Sequence, residues 1–227
     1  MLRCMAASAA WAQPQRKVFR IANGIPLADY GNPARPDALP RVIKRPGELW
    51  LGTLAGLRAV KNLPRLVRAF ASLPKEWNLV ILGEGPEREA IRAEAMRLEL
   101  GHRVHLPGFA RDPAAVLGLF DLFALSSDSE QFPISVVEAM AAGLAVASPR
   151  VGDVEAMLSS ANRRFITPAG DDAALAAALA ELAANPDLRQ TIGAANRTRA
   201  EAEYDEARMI AAYARVYGDA LGRRQFP

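Results

Sequence analysis

From Glu48 onward, short apolar runs alternate with stretches of helical periodicity, the pattern that the strands and crossover helices of a parallel sheet leave in a sequence. Such crossovers are right-handed almost without exception, and three further helical stretches close the chain. Together these observations predict an α/β fold: a Rossmann-like doubly wound parallel sheet of about six strands, with additional C-terminal helices.

The first strand is expected at Leu49–Leu54. An amphipathic helix over Asn62–Leu73 follows, with Leu63, Leu66, Val67 and Phe70 recurring on one face. The pattern then predicts a strand at Asn78–Leu82, a helix over Pro86–Leu98, a short strand at Val104–Leu106, a short helix at Pro113–Leu119 and a strand at Leu122–Leu125. Pro133 is placed as a first-turn residue of the next helix, where its missing N–H costs nothing. A strand at Ala145–Ala147, a small helix near Val154–Leu158 and a last strand near Arg164–Ile166 complete the sheet. Helices over Asp171–Ala184, Pro186–Glu203 and Asp205–Leu221 end the chain.

Ahead of Glu48 the signals differ. Met1–Ala12 has Arg3 and a short alanine-rich apolar stretch that superficially resembles a signal peptide; the stretch is short for that, and reads as the tail of a longer upstream helix. A strand over Val18–Ile21 leads into an Asn23-Gly24 turn. The segment Asn32–Pro46, with Pro33, Pro36, Pro40 and Pro46 and few apolar residues, reads as a linker outside the core.

At 227 residues, 51% hydrophobic and 23% charged, the chain is long enough for one large or two small domains of ordinary globular composition. A net charge of +3 comes with no basic run interleaved with aromatics, so no nucleic-acid partner is expected. Cys4 is the single cysteine, which rules out an internal disulfide and fits a reducing, cytoplasmic location. No stretch approaches the roughly 20 apolar residues of a membrane span.

The stretch Ser126–Pro149 concentrates the chemistry. Glu130 lies in the loop after a strand, and Glu138 eight positions on lies within a helix. In an open parallel sheet, ligands sit beyond the carboxyl ends of the strands, where helix N-termini favour anions. The arrangement Glu130, Phe132, Pro133, Ser135, Glu138, Ala139, Met140, Gly143 and Val146 resembles the E-x7-E signature of the retaining GT-B glycosyltransferases called group 1 or family 4. The resemblance runs from about Ile21 to Leu221. It implies that residues 47–204 form the nucleotide-sugar-binding, C-terminal half of a GT-B fold. Residues 1–46 would then be a remnant of an N-terminal domain and the interdomain linker, including the Asn23-Gly24-Ile25 element. Residues 205–227 would be a helix that packs on that N-terminal domain.

The same resemblance assigns roles to other loops. Between Gly52 and Asn62 the family commonly carries G-R-L-x-x-x-K; Lys61 matches its lysine, Gly56 stands in place of its arginine, and Arg58, three residues before Lys61, is the substitute candidate for gripping a diphosphate. Gly83 and Gly85 resemble the G-x-G element facing the nucleotide, although a tight turn before a helix explains them nearly as well. Gly108 and Phe109 resemble the loop that meets the base, where a plain turn is the alternative. Phe132, Pro133, Ile134 and Ser135 would lie along the nucleotide. Gln131 and Asp153 replace glycines that the family usually has near the sugar, which leaves the identity of that sugar open. His102 and His105 match no family position and read as structural or solvated.

The implied activity is retaining transfer of a hexosyl group from a UDP-, GDP- or ADP-sugar to a glycan, lipid or small-molecule acceptor held by the N-terminal domain. Glu138 would accept from the ribose hydroxyls, Glu130 would orient the sugar, and Lys61 with Arg58 would stabilise the leaving diphosphate electrostatically. No Asp-x-Asp pair is present at any of these loops, so no metal and no further cofactor are expected. A non-catalytic nucleotide-sugar-binding module is the alternative. Peripheral membrane association through the N-terminal domain and self-association through the helix beginning at Asp205 are further expectations.

Overall fold

The computed structural model describes residues 18–31, 35–39 and 42–222. The expectations placed on Met1–Ala12, Pro33 and Pro40 lie outside the described residues.

Six strands form one parallel sheet: β1 (Leu49–Leu54), β2 (Trp77–Leu82), β3 (Val104–Gly108), β4 (Leu122–Ala124), β5 (Val146–Pro149) and β6 (Ile166–Thr167), in the order β3-β2-β1-β4-β5-β6. The chain winds outward from β1 through β2 to β3, then returns to the other side of β1 and winds the opposite way. That reversal opens a crevice between β1 and β4 at their carboxyl ends. Helices α1 (Leu63–Phe70), α2 (Arg88–Arg97), α3 (Pro113–Leu117), α4 (Ile134–Ala141), α5 (Val154–Met157), α6 (Asp172–Ala184), α7 (Pro186–Glu203) and α8 (Glu206–Leu221) complete the chain.

The strands are hydrophobic on both faces because both faces are covered. Leu51, Leu79, Ile81 and Leu122 point into a core shared with α1, α2 and α6, while Trp50, Val80 and Phe123 point into a second core with α3 and α4. On α1 the stripe Leu63, Leu66, Val67 and Phe70 is buried as the spacing predicts; each such side chain contributes about 1.5–3 kcal/mol of burial. Three helices begin on a side-chain cap: Asp112 accepts from the Ala115 amide, Asp171 from Ala174 and Asp205 from Ala207. α4 has no side-chain cap, and Pro133 is its N-cap residue rather than a first-turn residue.

Other boundaries shift for local reasons. The predicted first helix ends early because the chain turns at Ala71–Leu73, and Arg164 belongs to a 3₁₀ turn (Ser160–Phe165) that displaces β6 to Ile166–Thr167. The strand expected at Val18–Ile21 is absent; those residues belong to no regular element, and the pairing falls instead at Ile25, which bridges Asp205 in parallel. Ile25 N–H donates to Tyr204 O at 2.9 Å and Glu206 N–H donates to Ile25 O at 3.0 Å. This clasp ties the segment before the sheet to the start of α8. The proline-rich segment also differs from a free linker: Leu39 is 4% exposed in the second core, and Arg35 N–H donates to Ala115 O.

A polar knot holds the far end of the sheet. Asn162 exchanges two hydrogen bonds with the Val146 backbone, and Asn196 on α7 donates to Asn162 and to Leu144 O while accepting from Ser159. Both asparagines are fully buried, and the hydrogen bonds they make offset the cost of removing their amides from water, so the knot fixes α7. α8 is different: Ile210, Tyr213, Tyr217 and Leu221 stay exposed, with Tyr213 and Tyr217 stacked on each other. No helix of the described residues is long and apolar enough to cross a membrane.

Candidate functional site

The loops that leave β1 and β2 are stitched together before they meet anything else. Ala55 N–H donates to Leu82 O, Leu57 N–H to Glu84 O, and Glu87 N–H to Leu57 O. Gly83 has φ +141°, and a Cβ there would stand 1.9 Å from Ala55 O; Gly85 has φ +156°, and a Cβ there would stand 2.4 Å from Leu57 O. Only glycine lets the two backbones approach so closely. Gly83 N–H in turn donates to Gly108 O at 2.8 Å, which joins the loop after β3.

These loops and α4 enclose a cleft of about 670 Å³ at the carboxyl ends of the strands, lined by Leu54, Gly56, Gly83, Phe109, Ser135 and Glu138 among others. Four of the candidate site residues, Gly83, Phe109, Ser135 and Glu138, thus share one wall system. Gly85 supports the loop from behind, and Gly108 is buried beside the Glu84 carboxylate. Phe109 is exposed on the rim. Phe132 turns away from the cleft and packs edge-on against Tyr204 at 5.8 Å, Pro133 is buried, and Ile134 is exposed at the start of α4.

Lys61 and Glu130 meet directly. Lys61 Nζ lies 2.6 Å from Glu130 Oε1, which also accepts from Ser127 Oγ at 2.7 Å. Ser126 Oγ donates to Lys61 O, so the loop after β4 is pinned to the loop after β1 at both ends. Arg58 is exposed, and its Nε would lie 3.8 Å from a Cβ at Gly56, beside the cleft wall. Its guanidinium therefore sits next to the position that an arginine at residue 56 would leave from.

Arg65 forms a support that the sequence did not announce. From α1 it donates to Asp128, to Ser126 O and to Asp172, and Asn62 donates to the same Asp128 carboxylate. Burial of the Arg65 guanidinium acts to lower its pKa, but the hydrogen bonds with Asp128 and Asp172 outweigh it and the pKa rises. An i,i+4 search along α1 misses this cluster, because its members come from three distant segments.

Glu138 is half-buried, and burial raises its pKa above the ordinary carboxylate value; a hydrogen bond from the Tyr30 hydroxyl at 3.2 Å acts in the opposite direction. A carboxyl whose folded pKa is raised adds stability below its unfolded pKa and loses it as pH rises through the folded value. Glu138→Gln keeps the acceptor for Tyr30 and removes the charge. It is expected to raise the melting temperature at about pH 7, by roughly 2–4 °C for each kcal/mol gained, and to leave it unchanged at about pH 4. Equal melting temperatures at both values would contradict the burial cost.

Two loop residues that depart from the family pattern are neighbours. Asp153 N–H donates to Gln131 O at 2.8 Å, and a Cβ on Gly152 would stand 2.4 Å from the same oxygen. Asp153 also pairs with Arg20 at an exposed site. His105 Nε2 lies 3.1 Å from Asn78 Oδ1, and burial lowers the pKa of the imidazole.

Residues 38–199 match the family described as Glycosyl transferases group 1. Among sequence relatives, the chain is 26% identical over 170 residues to the N-acetyl-alpha-D-glucosaminyl L-malate synthase of Bacillus anthracis, covering 74% of this chain and 45% of that protein. It is 30% identical over 153 residues to a putative colanic acid biosynthesis glycosyltransferase, WcaL, of Salmonella typhimurium, covering 62% of this chain and 38% of the relative. The chain thus spans less than half the length of these relatives. In fold it is similar to Anabaena HepE solved with UDP, at a TM-score of 0.78 and 22% identity, over 88% of this chain and 57% of that one. A glycosyltransferase from Rickettsia africae gives a TM-score of 0.80 at 16% identity, over 95% and 61%.

Proposed function

The chain belongs to the group 1 glycosyl transferases, and on that premise we propose that its cleft holds a nucleoside diphosphate sugar, the donor of a retaining hexosyl transfer. The observation that carries the proposal is the position of Glu138: a carboxylate on α4, facing a largely apolar cleft beyond the carboxyl ends of the parallel strands. A base fits against the apolar wall of Leu54 and Gly83 with Phe109 on the rim, and the two ribose hydroxyls then meet Glu138, an acceptor-only group when ionised. That HepE was solved with UDP and with UDP-glucose supports this assignment.

The diphosphate falls to Lys61, with Arg58 beside Gly56 as second cation. The N-terminus of α4, where Pro133 supplies no side-chain cap, adds backbone N–H groups, with Ser135 in the cleft wall. Glu130 shares Lys61 in the free protein and is placed to orient sugar hydroxyls once a diphosphate claims the lysine. Bond cleavage at the anomeric carbon puts charge on the leaving diphosphate, and these fixed cations and dipoles stabilise it there. The acceptor is held by the part of the enzyme that the longer relatives have and this chain does not span.

Calorimetry with UDP, GDP and ADP tests the proposal. At least one is expected to bind, and Lys61→Ala should cost more affinity for the diphosphate than for its nucleoside, by roughly 10-fold or more, since charged hydrogen bonds contribute about 1.5–3 kcal/mol. No binding by any of the three, or equal losses for nucleotide and nucleoside, would remove the cleft or Lys61 from the donor site.

A further inference from the structure

Tyr30 stands in the short 3₁₀ turn Leu27–Gly31, which packs against α3 and α4. It is half-buried, with its ring against the second core. Its hydroxyl donates to Glu138 Oε1 across a sequence separation of 108 residues. The hydrogen bond comes from outside the matched region 38–199 and reaches the carboxylate that α4 presents to the cleft. We infer that Tyr30 is a positioning residue for the donor: its hydroxyl holds Oε1 of Glu138 so that the remaining acceptor sites of the carboxylate meet the ribose hydroxyls. The inference rests on the donor-site reading given above and deepens it.

The chemistry supports a donor that never changes role. Burial first, then the charge and hydrogen bond of Glu138, raise the Tyr30 pKa far above that of a free phenol, so the hydroxyl keeps its proton at every working pH. Asp29 and Asp112 push it in the same direction. It can therefore only donate to the carboxylate. For Glu138 the two causes of its shift are burial, which favours the neutral acid, and Tyr30, which favours the ion. Glu84 and Arg111 line the same cleft, and Glu138 is the only titratable residue of α4 itself. A neutral acid would offer its proton and compete with the ribose, whereas the ion offers about four lone-pair sites, of which Tyr30 uses one. Phenylalanine would fill the same space and lose only this function.

The test uses Tyr30→Phe in the full chain, with calorimetry across pH using whichever of UDP, GDP or ADP the wild type binds, and the 2′,3′-dideoxy form of the same nucleotide. The variant is expected to bind the ribonucleotide about 3- to 10-fold more weakly, as one neutral-donor hydrogen bond warrants. Its affinity should fall off at a higher pH than in the wild type, because Glu138 loses the partner that holds its pKa down. The dideoxy nucleotide should bind both proteins alike. In a Glu138→Gln background, Tyr30→Phe should have no additional effect on the pH profile.

An unchanged ribonucleotide affinity and acid limb, or an equal loss for the dideoxy form, would overturn the inference, the latter by showing that Tyr30 merely packs. Failure of the underlying reading shows elsewhere: wild type binding none of the nucleotides, or Glu138→Gln binding the ribonucleotide as well as wild type, removes the donor site and the inference together. Because the ring is retained, the melting temperature of Tyr30→Phe serves as the folding control.

Discussion

Gly83→Ala is expected to destabilise the chain by roughly 2–6 kcal/mol, the sum of an overpacking cost and the strain of a side chain at positive φ. The added methyl would stand 1.9 Å from Ala55 O, a backbone atom held in place by the hydrogen bonds between the loops after β1 and β2. Neither loop can retreat without breaking Leu57 N–H to Glu84 O or Gly83 N–H to Gly108 O. Gly170 gives the comparison, since it also has positive φ, at +79°, but nothing lies within 4 Å of a Cβ there. Gly170→Ala should cost only the backbone strain, roughly 1–2 kcal/mol. Urea denaturation at constant m-value measures both, and equal midpoints for the two variants would show that the loops yield freely.

Glu138→Ala is expected to weaken nucleoside diphosphate binding by about 10- to 150-fold for each ribose hydrogen bond it removes, corresponding to about 1.5–3 kcal/mol for a hydrogen bond to a charged group. It also leaves the Tyr30 hydroxyl without its acceptor in a half-buried position. The loss should appear with UDP and GDP alike, since ribose is common to both. Isothermal titration at matched pH measures it. An affinity that survives the truncation would place the ribose elsewhere and leave α4 as scaffold.

The sheet was legible in the sequence because burial on both faces writes strands as continuous apolar runs. Leu49–Leu54 and Trp77–Leu82 read clearly for that reason, one residue apart from expectation at Trp77. Boundaries were less legible wherever a 3₁₀ turn replaced a helix or strand end, as at Arg164, since the two share composition. Lys61 and Glu130 were each singled out only through the family pattern, and their contact was not foreseen, because nothing local in either loop points to a partner 69 residues away. Tyr30 was not legible at all: an aromatic between glycines and prolines looks like a linker residue, and its meaning comes from a fold that returns α4 beside it. The same holds for Leu39, where a proline-rich context masked a core position, and for the Asn162–Asn196 knot, whose members lie 34 residues apart with no local pattern linking them.

The clasp between Ile25 and Asp205 has a consequence for the order in which the molecule assembles. It joins positions roughly 180 residues apart, so closing that loop in an unfolded chain costs on the order of 4–5 kcal/mol of chain entropy. Its two backbone hydrogen bonds contribute about 0.5–1.5 kcal/mol each, too little to nucleate anything. The pairing becomes favourable once the sheet has already brought both ends to the same place, which puts it late on the folding pathway. Tyr30 follows Ile25 by five positions and is delivered by the same event. A nascent chain would thus carry a finished sheet and an unguided Glu138 until the strap from residues 25–31 is laid down, so that binding competence arrives as a separate step after compactness.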